Sequence, residues 1–327
     1  MNRTLYNTPR CPGSLKDGFN SYNPGTLRTL FDSRKVFHII EGSPDTASWQ
    51  KARIEGEQFG GQQWYRVALH KNKPEPHPAG NYILKIVPDD SDSVKFPFEQ
   101  AGNEHFCLQL AKQVYGIDTV PNAMIFFENG QPAFIARYYN NFPLSEDEIT
   151  DFSQLINQNE TQPHIDIDKF SYYDLVAVIN ENVAASLIGK ERFFTNILFG
   201  WLVANGHAYM KNIRLRKTPL GDYTIFPLAD ILCTRAHAIG PEIAAPGGLY
   251  QGDKNTPEFR EYGHYTRNEF SNFAMRLGIN RKRSDKIMDH LVAGRNAAGK
   301  LLDQAFVPEE VKNIIRYYFN ERLMRLK

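Results

Sequence analysis

Two side chains in this sequence bear the oxygens that a hard divalent cation takes, the amide of Asn212 and the carboxylate of Asp230. Ahead of Asn212, the run from Trp201 through Asn205, Gly206, His207, Ala208, Tyr209, Met210 and Lys211 reads as a helix end turning into a loop. A hairpin is predicted next, with Asn212–Arg216 and Asp222–Phe226 as strands over Pro219, Leu220 and Gly221. Asp230 follows in Phe226-Pro227-Leu228-Ala229-Asp230-Ile231-Leu232, where its apolar flanks set a metal ligand against a capping or turn aspartate. His207, five positions before Asn212, is the one side chain type that exchanges a proton near neutral pH without perturbation.

A second set lies in the first half of the chain. Lys85 stands mid-strand in Tyr82-Ile83-Leu84-Lys85, where it either needs a negative partner or faces solvent on the alternate face. Glu104, near the start of the next helix, could pair with Lys85 or simply favour the helix N-terminus. Gly60 and Gly61, with Gly56 before them, permit backbone amides to approach a phosphate, although a plain turn explains them as well. Taken together these are the parts of phosphoryl transfer from ATP: a loop over the phosphates, a lysine, oxygens for Mg²⁺ and a group at the acceptor hydroxyl. Protein kinases place a catalytic Asp five residues before a Mg²⁺-binding Asn, then a hairpin, then a second metal-binding Asp. The positions 207, 212 and 230 follow that spacing.

The elements that must position these residues change character along the chain. A short helix is expected over Pro24–Phe31 and strands over Lys35–Ile40, Gln62–His70 and Asn81–Val87, with the proline-bearing stretch Lys71–Gly80 as a loop. Helical spacing runs from Asn103 to Tyr115 and stops at Gly116. A hairpin of Ala123–Phe127 and Ala133–Tyr138 turns at Asn129-Gly130. Beyond residue 140 the pattern is mostly helical, over Ser145–Asn157, Tyr172–Ile188, Lys190–Ala204, Thr266–Leu277, Arg281–Ala305 and Pro308–Lys327. Ser145 with Glu148, and Thr266 with Glu269, read as capping boxes. The expectation is an α+β, two-lobed protein-kinase-like fold: residues 1–140 a β-rich lobe with a nucleotide-covering loop, and residues 141–327 a helical lobe with the catalytic and metal motifs.

Asn205-Gly206-His207-Ala208-Tyr209-Met210-Lys211-Asn212 resembles the loop Asn-Gly-Asp-x-His-x-Lys-Asn of the HipA family of kinase toxins, and Pro227-Leu228-Ala229-Asp230-Ile231-Leu232 resembles that family's metal motif. Asn103-Glu104, Gly116-Ile117, Val120-Pro121 and the Lys85 strand are similar to its first lobe, and Cys11-Pro12-Gly13-Ser14-Leu15 is similar to the N-terminus of the shorter, HipT-like members. The resemblance implies a serine/threonine kinase that uses ATP and Mg²⁺. His207 and Lys211 then hold the catalytic positions and Asn212 and Asp230 the metal. Gly60, Gly61, Lys85, Glu104, Arg137 and Tyr138 fall at the nucleotide. It also implies a helix-turn-helix antitoxin, a small HipS-like subunit, an aminoacyl-tRNA synthetase as substrate, and DNA only through the antitoxin.

The chain departs from the family at four places. His207 stands for the catalytic Asp and Tyr209 for a His. Glu57-Gln58-Phe59 replaces the Ser-x-Ser autophosphorylation segment. Arg137-Tyr138-Tyr139-Asn140 replaces Arg-Phe-Asp-Arg. Two readings follow: a kinase that uses His207, or a catalytically impaired pseudokinase that binds ATP or a protein. Glu57 is either a one-charge imitation of a phosphorylated loop or a solvated carboxylate.

The bulk numbers narrow the classes. With 38 basic against 37 acidic residues no large electrostatic footprint for DNA or an anionic membrane is expected, which leaves room for a local basic patch. Cys11, Cys107 and Cys233 are too scattered for a disulfide framework or a zinc site, and no pair of histidines has the spacing of a metal hydrolase. Met1–Lys16 has no apolar h-region and no apolar run reaches a membrane span, so a soluble cytoplasmic protein is expected. Because residues Glu55–Trp64 contain no serine or threonine, mass spectrometry after ATP incubation is expected to find no phosphoserine or phosphothreonine on that peptide. A phosphate there would overturn the reading of the glycine loop.

Overall fold

The computed structural model describes residues 9–44, 46–55, 59–87, 94–138, 149–158, 166 and 168–327. It divides into two compact units. The first comprises Met1–Glu146, Ala236–Ile239 and Ala297–Arg316; the second comprises Asp147–Arg235, Gly240–Asn296 and Tyr317–Lys327.

In the first unit the elements are α1 (Pro24–Thr26), which continues as a π-type turn over Leu27–Phe31, then β1 (Ile39–Ile40), α2 (Ala47–Lys51), β2 (Arg53–Ile54), β3 (Gln63–His70), β4 (Lys73–Pro76), β5 (Tyr82–Ile86), α3 (Gln100–Gln113), β6 (Asn122–Phe127) and β7 (Pro132–Arg137). The strands form one sheet in the order β1-β6-β7-β5-β3-β2, with β4 also on β3. Only β1 joins parallel, to β6; the other pairs are antiparallel. β5 lies between β3 and β7 and is buried along its whole length, which its apolar run anticipates.

Three expectations change here. The strand expected over Lys35–Ile40 shrinks to Ile39–Ile40, which pairs with Phe126 and Phe127. The expected loop Lys71–Gly80 contains β4, whose Pro74 and Pro76 are tolerated because the strand pairs, among the described residues, only with β3. α3 begins at Gln100 instead of Asn103. It needs Gly102, since a Cβ there would lie 2.3 Å from the carbonyl oxygen of Phe306.

In the second unit the elements are β8 (Ile149–Asp151), α4 (Phe152–Gln158), α5 (Val176–Asn182), α6 (Ser186–Leu202), β9 (Arg214–Lys217), β10 (Tyr223–Ile225), α7 (Pro257–Tyr262), α8 (Arg267–Arg276) and α9 (Arg281–Ala293); α10 (Arg295–Asp303) and α11 (Glu309–Arg325) straddle the division. α6 supplies the buried rings Phe193, Phe194, Phe199 and Trp201, and Phe273 and Phe270 of α8 pack against them. The capping box of Thr266 with Glu269 forms as expected. Among the described residues no helix is long and apolar enough to cross a membrane.

The helix expected over Ser145–Asn157 is not continuous. Ser145 and Glu148 lie outside the described residues, and Ile149–Asp151 pairs as a strand with Arg214–Arg216 of β9. The cap of α4 is Asp151, whose Oδ1 accepts from the Gln154 amide at 2.9 Å. A local capping pattern cannot report a strand partner so distant in sequence. The helix expected over Tyr172–Ile188 breaks at Val183, whose backbone is extended, and the helix expected over Arg281–Ala305 divides at Gly294.

Two histidines of the first unit are buried without charge. The amide nitrogen of Asn103 donates to His237 Nε2 at 2.8 Å, so Nδ1 carries the proton and donates to the Lys95 carbonyl at 3.0 Å. His105 packs against Phe306 and reaches the Gly13 carbonyl at 3.3 Å. Burial pushes both imidazoles down to about 4 from an ordinary 6.5. Between those values the unfolded chain binds more protons than the folded one, so stability falls as pH falls. The melting temperature is expected to drop on going from pH 6.5 to 4.5, with a shallower slope in His105→Gln. A wild-type curve that is flat across that window would count against the neutral burial.

Candidate functional site

The residues that the sequence singles out fall into two groups, one in each unit. In the first, Trp64 of β3, Lys85 of β5 and Phe134 of β7 are register partners, so they form one row across three strands. The Lys85 ammonium lies 4.3 Å from the Trp64 ring centroid and 5.2 Å from that of Phe134. It donates to Glu104 Oε1 of α3 at 2.5 Å, and the side chains are only 3% and 2% exposed. Of the two readings of Lys85, the structure therefore takes the one with a buried carboxylate partner.

Gly60 and Gly61 both adopt left-handed backbone, with φ of 64° and 75°. Gln100 Nε2, at the start of α3, donates to the Gly60 carbonyl at 3.0 Å, and a Cβ on Gly60 would meet that amide at 2.7 Å. Arg137 donates twice to the Leu30 carbonyl, at 3.1 and 2.8 Å, and so braces the turn after α1. The Arg66 guanidinium covers the Tyr138 ring at 4.8 Å. Glu57, Gln58, Tyr139 and Asn140 lie outside the described residues.

In the second unit α6 delivers the chain to the loop that bears His207. Arg322 donates to the Trp201 carbonyl at the end of α6 and lies over the Trp201 ring, while Trp201 Nε1 donates to Glu242 at 3.0 Å. Burial lowers the Arg322 guanidinium to about 10, against the pull of Glu242. Past the helix, Ala204 is left-handed at φ 59°, an uncommon state for a residue with a Cβ. Thr234 holds that bend, since its amide and hydroxyl both donate to the Ala204 carbonyl while its Oγ1 accepts from Gly206 N at 2.9 Å. Asn205 Oδ1 accepts from His207 N at 2.7 Å, and Asn212 Nδ2 donates to the His207 carbonyl at 2.6 Å. The Tyr172 hydroxyl donates to the Ala208 carbonyl at 3.0 Å.

The His207 ring packs edge-on against Tyr209 at 4.7 Å. Burial lowers its pKa to about 4, helped by the nearby Lys211 ammonium and opposed by Asp230, so the imidazole is neutral at neutral pH. Lys211 itself is exposed. Asp230 is left-handed at φ 53°, and its Oδ2 accepts from Arg214 Nη2 at 2.5 Å. Asn205, Asn212, Arg214 and Asp230 line a common cavity of about 50 Å³, which has room for a small ion and a few waters but not for a nucleotide.

Asn212 Oδ1 and the Asp230 carboxylate are the right donor types for Mg²⁺. Among the described residues no group of three or more His, Cys, Asp or Glu is placed to hold a metal ion. Sequence reading missed two participants. Asn205 was visible only as part of a motif, and its role is an Asx-type turn under His207. Arg214 carried a signal in its place, a cation two residues beyond Asn212 at the start of a strand.

A mixed sheet backed by one buried helix, and a helical unit carrying the Asn212 and Asp230 loop, make up an α+β fold of the protein-kinase-like kind. The chain belongs to the family of the HipA-like C-terminal domain, which matches residues 51–298. In fold it is similar to the toxin HipA of the Shewanella oneidensis toxin–antitoxin system, solved with HipB and operator DNA, with a TM-score of 0.59 at 15% identity. That match covers 84% of this chain and 65% of the other, so the chain spans less than two thirds of that protein's length. It is also similar to the Helicobacter pylori proinflammatory kinase CtkA, with a TM-score of 0.55 at 14% identity, covering 89% of this chain and 95% of that one. No curated protein matches it by sequence.

The buried Lys85–Glu104 pair makes a stability prediction. Glu104→Leu, which strands the ammonium, is expected to cost about 3–5 kcal/mol in urea unfolding, whereas Lys85→Met combined with Glu104→Leu recovers most of that loss. Additive losses in the double variant would contradict the pairing.

Proposed function

We propose that this chain is a HipA-type serine/threonine kinase that transfers the γ-phosphate of ATP to a protein serine. The observation that carries the reading is the convergence of Asn212 and Asp230 on one cavity, next to a loop that fixes His207 from several sides, in a chain of the HipA-like family. The acceptor oxygen would form the new bond to the γ-phosphorus, the bond to the β–γ bridging oxygen would break, and ADP would leave with the electron pair. The neutral His207 ring would take the hydroxyl proton. Asn212 and Asp230 would hold Mg²⁺, which when bound neutralises phosphate charge.

On the first unit, Gly60 and Gly61 would offer backbone amides, and Lys85, held by Glu104, would be the lysine that pairs with the phosphates. Arg137 and Tyr138 would border the nucleotide, and Lys211 would lend its charge to the phosphoryl group in transfer. The likeness to a toxin solved with HipB and operator DNA supports a helix-turn-helix antitoxin as partner, with DNA contacted only through it. By the same family reading the chain works in the cytoplasm, with a HipS-like subunit and an aminoacyl-tRNA synthetase as substrate.

One observation favours a second reading, an impaired kinase that acts by binding: the Asp230 carboxylate is already paired with Arg214. Radiolabelled ATP assays on the wild type, His207→Asp and His207→Ala separate the two. If His207 is a working base, His207→Ala abolishes transfer and His207→Asp changes the pH profile. If it is a lost base, His207→Asp raises the rate by roughly 10²–10⁴-fold, the usual worth of a positioned base, with Tyr209→His beside it where the two positions couple. Three equal background rates would sink both accounts of His207.

A further inference from the structure

Arg214 has no place in the chemistry above, yet it is as firmly built as any residue of the loop. Its backbone opens β9 opposite Asp151 of β8, and its carbonyl accepts from Phe226 N at 2.9 Å. Its guanidinium meets Asp230 Oδ2 at 2.5 Å, where the two side chains are 29% and 13% exposed, so water screens the pair only in part. Asp230 sits in left-handed backbone, a conformation that aspartate adopts more readily than most residues with a Cβ. Arg214, Asp230 and Asn212 all line the same small cavity.

A guanidinium cannot lose its proton, so the positive charge opposite Asp230 is permanent. A divalent ion at Asp230 would compete with it for carboxylate oxygen, and Mg²⁺ tolerates little departure from its own geometry. The guanidinium has five N–H donors, and its fork suits phosphate oxygens as well as carboxylate.

We infer that Arg214 is a built-in counter-ion that competes with the divalent cation at Asp230 and supplies in its place the positive charge that nucleotide phosphates require. The inference rests on the second reading above, a chain that binds ATP with impaired transfer, and goes beyond it, because it makes that binding largely independent of metal. It also assigns Arg214 as the residue that sets metal dependence.

The test is titration of the full chain with a non-hydrolysable ATP analogue by calorimetry, in EDTA and in Mg²⁺, for the wild type, Arg214→Ser and Arg214→Gln. The wild type is expected to bind with dissociation constants that agree within about threefold in the two buffers. Arg214→Ser is expected to bind more weakly in EDTA and to gain about tenfold or more on addition of Mg²⁺. Arg214→Gln removes the charge at nearly the same length, so it gives the same result should Arg214→Ser fail to fold. Wild-type binding that requires Mg²⁺, with the same requirement in both variants, would overturn the inference and leave the nucleotide-binding reading standing. Absence of binding in every chain and buffer would overturn both.

Discussion

Helix α3 is buried on nearly every side from Gln100 to Ala111, although it carries Gln100, Asn103, Glu104, His105 and Gln109 inward. Five polar side chains inside a core call for partners, because an unsatisfied buried donor or acceptor costs on the order of 1–3 kcal/mol; each side chain finds one, although the atoms Gln100 Oε1 and His105 Nδ1 have none among the described residues. The answers organise the first unit. Glu104 takes Lys85 from β5, Asn103 takes His237, Gln109 takes Asn122 at the start of β6, Gln100 takes the Gly60 carbonyl, and His105 takes that of Gly13. The helix thereby fixes the central strand, the glycine turn, the N-terminal segment and a piece of chain from far downstream. Gly102 adds a sixth tie, letting the Phe306 backbone close on the helix.

The second unit solves a different problem, a loop held away from relaxed backbone. Ala204 and Asp230 both sit in the left-handed region, where a Cβ is penalised. Thr234, Asn205, Asn212 and Tyr172 bind the loop backbone between them, and Arg322 anchors the end of α6 that feeds it. Such over-determined strain is what positioned functional side chains require.

In both units the charged candidates carry partners of opposite sign, Lys85 with Glu104 and Asp230 with Arg214. The two pairs differ in kind. Lys85 is also flanked by rings on both cross-strand sides and sealed from water, so its pairing belongs to the core. The Asp230 pair borders a cavity and is partly wet. The neutral imidazole of His207 adds no charge beside it.

The sequence by itself determined what depends on local pattern: the alternation of β3, the apolar run of β5, the Asn129-Gly130 hairpin and the Thr266–Glu269 box all form where the residues predict them. It also pointed to the family, whose C-terminal domain matches residues 51–298. What only tertiary structure decided were the features with distant partners. β8 is a strand because β9 lies beside it, and β4 accepts its prolines because, among the described residues, it pairs only with β3. Lys85 points to Glu104 and not to solvent because α3 covers that face of the sheet, and Asp230 faces Arg214 because the β9–β10 hairpin brings together residues sixteen apart. A one-dimensional pattern encodes which side chains need a partner, whereas the partner itself is chosen by whichever element the folded chain lays against it.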